Sequence, residues 1–199
     1  LYSGEEAVVV TGQAIDRSSG LAVPNVELKL GFSTRGFNWF ETVTTDDQGS
    51  YTYQYTPPAG SSGHYSIWAA HPDVYAILKQ AEFDLYKMYS IPARGDIRMS
   101  KADILNFSIE LLNPGEASLT GFQGNFRAYT LDESGLEVEE TRLTGQVDFG
   151  AEFFQLKPGE RKRISLQISS MVDAPDAVNI AFTFTSAQRA SAIFSSSVS

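Results

Sequence analysis

Apolar and polar side chains alternate through much of this chain, and the clearest stretch spans residues 43–55. Tyr51, Tyr53 and Tyr55 fall on one face there, with Ser50, Thr52 and Gln54 on the other, the period-2 signature of a half-buried strand. Asp46-Asp47-Gln48-Gly49 precedes it with turn chemistry: short carboxylates that bond nearby amides and a glycine that accepts positive φ. The stretch therefore predicts strand, tight acidic turn, strand, a hairpin.

The same reasoning orders the rest of the first half. Residues 7–15 are β-branched and apolar and predict a strand that ends in the turn 16–20. Val26, Leu28 and Leu30 alternate with Glu27 and Lys29 in a second strand, followed by a loop over Gly31–Gly36 and a third strand over Phe37–Thr45. Prolines and glycines at 57–63 break the pattern, Tyr65–Ala70 restores it, residues 74–81 have the spacing of a helical turn or two, and Glu82–Ile91 predicts a closing strand.

In the second half, Leu105, Phe107, Ile109 and Leu111 form an alternating strand that stops at Asn113-Pro114-Gly115. Strands are expected over 122–131, 136–149 and 153–156, the first two joined by the turn Asp132–Gly135 and the last ending at Lys157-Pro158-Gly159-Glu160. Two final strands carry Ile164, Leu166 and Ile168, then Val178, Ile180, Phe182 and Phe184. Turn signals recur about every ten residues. The chain is thus expected to be all-β, as two tandem Greek-key (immunoglobulin-like) β-sandwich domains, 1–91 and 97–199, joined by a linker over 92–96.

Four segments carry a family likeness. Gly12–Asp16, Ser19–Leu28, Thr44–Tyr51 and Tyr65–Ala69, in that order, make residues 7–91 similar to the carboxypeptidase regulatory-like, transthyretin-like family. That resemblance implies a seven-stranded Greek-key sandwich appended to secreted or surface proteins. Asn113-Pro114-Gly115, Leu119-Thr120-Gly121 and Leu156–Glu160 make residues 97–194 resemble bacterial Ig-like adhesion and spacer modules. Collagen-adhesin relatives of the first domain join a first-strand lysine to a last-strand Asn or Asp, but residues 7–15 hold no lysine. In the second domain Lys101 and Asn179 are the pair that could meet.

Charge and composition narrow the chemistry. The 199 residues carry a formal net charge of −9, which repels phosphate backbones and anionic lipid. Nucleic acid and direct membrane insertion are not expected, and the one basic cluster, Arg161-Lys162-Arg163, abuts Glu160. No cysteine is present, which removes disulfides, thiol nucleophiles and zinc-thiolate sites. A chain that starts at Leu1 and ends in Ser195–Ser199 reads as a piece of a longer extracellular or cell-envelope polypeptide.

Candidate chemistry is sparse. His64 and His71 flank one strand and are expected as separate surface residues, and no nucleophile-elbow motif accompanies them. Glu137, Glu139 and Glu140 read as the wet face of a strand. Asp46 and Asp47 are the carboxylates that could hold Ca2+, although they lack EF-hand spacing. No other cofactor is implied. Trp39, Phe40 and Trp68 are the candidate ligand-binding platform, because flat aromatics stack on sugars and form protein hot spots; their alternative role is core filler. The sequence therefore points to a non-catalytic spacer or interaction unit whose partners are other domains of the parent polypeptide, a surface protein or a glycan. The alternative is a carbohydrate-binding module appended to a polysaccharide-degrading enzyme.

Overall fold

The computed structural model describes residues 7–58, 61–75 and 78–199, and every regular element among them is a strand. The chain divides into two compact units, Leu1–Tyr86 and Lys87–Ser199. This boundary lies ahead of the expected one. The expected closing strand over Glu82–Ile91 is divided: Ala81–Leu85 pairs within the first unit, whereas Tyr89–Ile91 and, in the presumed linker, Arg94–Ile97 are strands of the second unit, because both find sheet edges there.

The first unit is a sandwich of unequal sheets. β1 (Val8–Gln13) pairs antiparallel with β4 (Ser50–Tyr55). Opposite stands a four-stranded sheet in the order β3-β2-β5-β6, built from β2 (Glu27–Thr34), β3 (Phe37–Thr44), β5 (Gly63–Ala70) and β6 (Ala81–Leu85). Val8 and Val10 from one sheet and Leu30, Phe32, Tyr65, Ile67, Phe83 and Leu85 from the other form the core. Full burial of a Leu or Phe contributes about 1.5–3 kcal/mol, so this inward alternation fixes the register of each strand.

Three local expectations change. Gly31 lies inside β2, which runs on to Thr34 and reverses at Arg35 and Gly36, both at positive φ. The acidic turn is no hairpin: β3 pairs with β2 and β4 with β1, so the turn carries the chain from one sheet to the other. Thr45 fixes that crossing, since its buried hydroxyl donates to Val23 O (2.9 Å) and accepts from Val26 N (3.0 Å). The described part of 74–81 holds no helix, and Ile77 lies outside the described residues. Among the described residues the first unit has six strands, where the family resemblance implies seven.

The second unit has the sheet order of an immunoglobulin-like sandwich. One sheet is β12-β13-β9-β7, from β7 (Tyr89–Ile91), β9 (Ile104–Leu112), β12 (Leu143–Asp148) and β13 (Arg161–Ser170). The other is β11-β10-β14-β15-β8, from β8 (Arg94–Ile97), β10 (Gln123–Leu131), β11 (Glu137–Glu139), β14 (Val178–Thr185) and β15 (Ser191–Val198). Pro92, which cannot donate to a ladder, stands where the chain leaves β7 for the opposite sheet. There β8 runs parallel to β15. Ile109, Leu111, Ile164, Leu166 and Ile168 face Ile180, Phe182, Phe184 and Phe194 across the core.

The expected strand over 136–149 is broken at Glu140–Arg142, where the chain changes sheets. Residues 153–156 form no strand; Leu156 makes only an isolated bridge to Leu119. The final strand β15 was not expected from the sequence.

Candidate binding surface

The three aromatic candidates sit on one sheet but not on one face. Across β3, β2 and β5, Trp39, Phe32 and Ile67 are register partners, and one position along so are Phe40, Gly31 and Trp68. The first row points into the core, where the Trp39 ring stacks on Phe32 at 5.2 Å and 7°. The second row points outward.

Trp68 nevertheless is only 2% exposed. Its indole covers Gly31 so closely that a Cβ there would stand 2.2 Å from Trp68 Cε2. Phe40 is 48% exposed and meets Trp68 edge-on, at 6.0 Å and 85°. Lys29 Nζ lies 4.9 Å from the Phe40 ring centre and 4.8 Å from that of Tyr75, whose side chain is 87% exposed. The outer face thus carries a cation held between two rings, and Tyr75 joins it by lying in the segment expected to be helical.

The other sequence candidates are engaged by the framework. Asp46 Oδ1 accepts from the amides of Gln48 and Ser50 (both 2.9 Å), and Asp47 Oδ1 accepts from Asn25 Nδ2 (3.1 Å). Asp16 Oδ1 caps its own turn, and the hydroxyls and amides of Ser18 and Ser19 hold that carboxyl far below its usual range. His64 lies on β5, its ring nitrogens 2.8 Å from carboxylate oxygens of Asp84 and Glu82 on the neighbouring strand. His71 is 3.5 Å from Asp73. Among the described residues no cluster of three or more His, Cys, Asp or Glu side chains is arranged to hold a metal.

In the second unit Lys101 pairs with Asp176 at 2.7 Å, whereas Asn179 Oδ1 accepts from Ser197 Oγ at 3.1 Å. Lys101 and Asn179, the pair that could have met, have different partners. The basic cluster is divided, with Arg161 near Glu110 and Lys162 near Glu160, each at 3.5 Å. Glu137 pairs with Arg127 at 2.6 Å, and Glu140 takes a two-pronged bond from Arg142 (2.7 and 2.6 Å). Glu140 is buried, so it is not part of a wet face.

No family model matches the chain, and no curated protein matches it. Solved structures similar to it include a family 123 glycoside hydrolase from Clostridium perfringens (11% identity, 53% of this chain, 22% of that one, TM-score 0.37). Others are the ASH/PapD-like domain of human CEP192 (13%, 65%, 96%, TM-score 0.39) and the Yersinia pseudotuberculosis adhesin InvE (12%, 98%, 55%, TM-score 0.36). This chain thus spans about a fifth of the hydrolase and about half of InvE. Likeness at this level says nothing about activity.

Proposed function

We propose that the chain is a pair of non-catalytic β-sandwich modules that present and space other parts of a larger secreted or cell-surface protein. The observation that carries this reading is the fate of the two tryptophans. Trp39 is stacked inside the first core and Trp68 is pressed over Gly31, so the candidate trio forms no flat exposed platform of the kind that stacks on a sugar. The carboxylates support the same reading, since Asp46, Asp47 and Glu140 are each spent on turns and sheet crossings. The module's relation to the carboxypeptidase regulatory-like family belongs to this proposal.

Tryptophan fluorescence with an aqueous quencher, titrated with a polysaccharide panel alongside hydrolysis assays, tests it. Shielded tryptophans, no sugar-dependent change and no turnover are the expected outcome. Strong quenching that one polysaccharide suppresses would replace this reading with the carbohydrate-binding one, and turnover would replace both. The outward cluster of Lys29, Phe40 and Tyr75 is the place where such a sugar would act, so Phe40→Ala with Tyr75→Ala is the variant to compare.

A further inference from the structure

We propose that the first unit takes up an extended, uncharged strand of another polypeptide along the free edge of β1. The proposal deepens the reading of the chain as an interaction module, because it names the class of partner and the edge that holds it. It starts from an imbalance. A sheet of two strands lies against a sheet of four, so among the described residues the smaller sheet leaves part of its partner uncovered.

The uncovered part is a groove of about 800 Å³ that follows the consecutive residues Val10–Arg17. A lining that includes both the inward and the outward residues of β1 places the groove along the strand's edge. Its opposite wall is apolar and comes from the four-stranded sheet, with Leu28, Ile67, Ala69 and Ala81.

The backbone of β1 makes that edge specific. Ala14 N donates to Gly49 O at 2.8 Å, continuing the β1–β4 register in which Gly12 faces Tyr51 and Val10 faces Tyr53. Antiparallel strands present alternate residues to each side, so Val9, Thr11 and Gln13 point their amides and carbonyls away from β4. Among the described residues β1 pairs with no other strand. A row of such groups is a template for another strand. Edge strands are ordinarily blunted by lysine, proline or a bulge; β1 reads Val-Val-Val-Thr-Gly-Gln, with Val9 55% exposed.

These features select the occupant. The ladder recognises extended backbone, and the apolar wall takes every second side chain of the added strand. β1 itself carries no charge, and Asp16 and Arg17 at the end of the groove are of opposite sign, so an uncharged strand is favoured. A second copy of this chain fits less well: two β1 strands paired across a two-fold axis would keep Val8 and Val10 in their own cores and leave both grooves unfilled. The net charge of −9 opposes such self-pairing as well.

The test uses the whole 199-residue chain and a fluorescein-labelled synthetic peptide of alternating threonine and valine. Saturable anisotropy is expected, together with slowed hydrogen exchange at the amides of Val9, Thr11 and Gln13 and no change at Val10 and Gly12. Thr11→Pro deletes an outward donor without touching the β4 ladder and should weaken the peptide about tenfold; Thr11→Val keeps the donor and should bind as the parent does. Should Thr11→Pro unfold, as near-ultraviolet circular dichroism would show, Val9→Lys with Gln13→Lys tests the same edge with every amide retained.

Four results overturn the proposal. They are absence of binding at millimolar peptide, equal binding by Thr11→Pro in its folded state, Val9 and Thr11 amides as protected in the free chain as Val10, and a sedimenting dimer that Thr11→Pro dissolves. The last would assign the edge to a second copy. None of them bears on the polysaccharide and hydrolysis assays, so the two readings fail separately.

Discussion

Asn113 shows how much one side chain can organise. It is 1% exposed, and its Nδ2 donates to the carbonyls of Ala117, Leu156 and Lys157 (2.8, 3.0 and 3.2 Å) while its Oδ1 accepts from Gly115 N (2.9 Å). The two turn motifs, Asn113-Pro114-Gly115 and Lys157-Pro158-Gly159-Glu160, are thereby one structure. Asn113→Ala unties the two turns: Leu156 O keeps its bond from Leu119 N, and Ala117 and Lys157 are exposed, so the loss is that of the linking bonds and of the acceptor for Gly115 N, about 1–3 kcal/mol in chemical denaturation. A loss below 1 kcal/mol would mean that water replaces the amide. Glu140 makes a second prediction. Bonds from the Arg142 guanidinium and amide hold its carboxyl at about 2, below the ordinary 4.5. Because the folded value is the lower one, this stabilisation is complete above pH 4.5 and is lost as pH falls toward 2. Glu140→Gln should remove that part of the acid slope, and an unchanged slope would assign it to other carboxylates. Both motifs of the Asn113 cluster were legible in the sequence. Their union was not, since it rests on bonds spanning more than forty positions.

Strand faces were legible wherever bulky apolar and polar residues alternate, as in β2, β4, β9, β13 and β14. Turn chemistry was legible as well: Gly49 and Gly135 have positive φ behind the side-chain caps of Asp46 and Asp132. What a turn cannot reveal is the sheet that the next strand joins, so a sheet crossing at Asp46–Gly49 read as a hairpin. β15 escaped because its inward positions include Ser196 beside Ala192, Phe194 and Val198, and small or polar residues mute the period-2 signal. Gly31 escaped for the opposite reason, since a glycine in a strand suggests a break, whereas here it admits the Trp68 indole. Trp68 could be placed on the outer face by alternation, but its burial depends on register with β2. Gly31→Ala should therefore cost about 1–3 kcal/mol, with a shift in tryptophan emission. Replacing Trp68 by leucine in the same chain should recover part of the loss. Without such recovery, the cost would come from the backbone and not from the ring.

At the scale of the whole molecule, acidity is spread along the chain: six basic and ten acidic residues precede position 95, and nine and fourteen follow it. Such a distribution favours solubility over a localised charged site, and it agrees with carboxylates tied into local bonds in both units. Two compact units with separate cores also predict that equilibrium unfolding departs from a single two-state transition. Gly31→Ala should move only the part contributed by the first unit, and Asn113→Ala only that of the second. One common transition displaced equally by both substitutions would contradict the division.

The pairing of β8 with β15 has a mechanical consequence. These strands lie near the two ends of the second unit and run parallel, with Arg94 beside Ser195 and Ile97 beside Val198. Tension applied between Lys87 and Ser199 would slide one strand along the other and load their shared hydrogen bonds together, instead of opening them one at a time. Resistance to pulling follows the unfolding barrier and not equilibrium stability. Ser195 N donates to Ala93 O and Ser199 N to Ile97 O, so in this register Gly95 turns its amide toward β15. Gly95→Pro should lower the rupture force of the second unit in single-molecule stretching while leaving that of the first unaltered, as expected of a clamp that bears load along the chain.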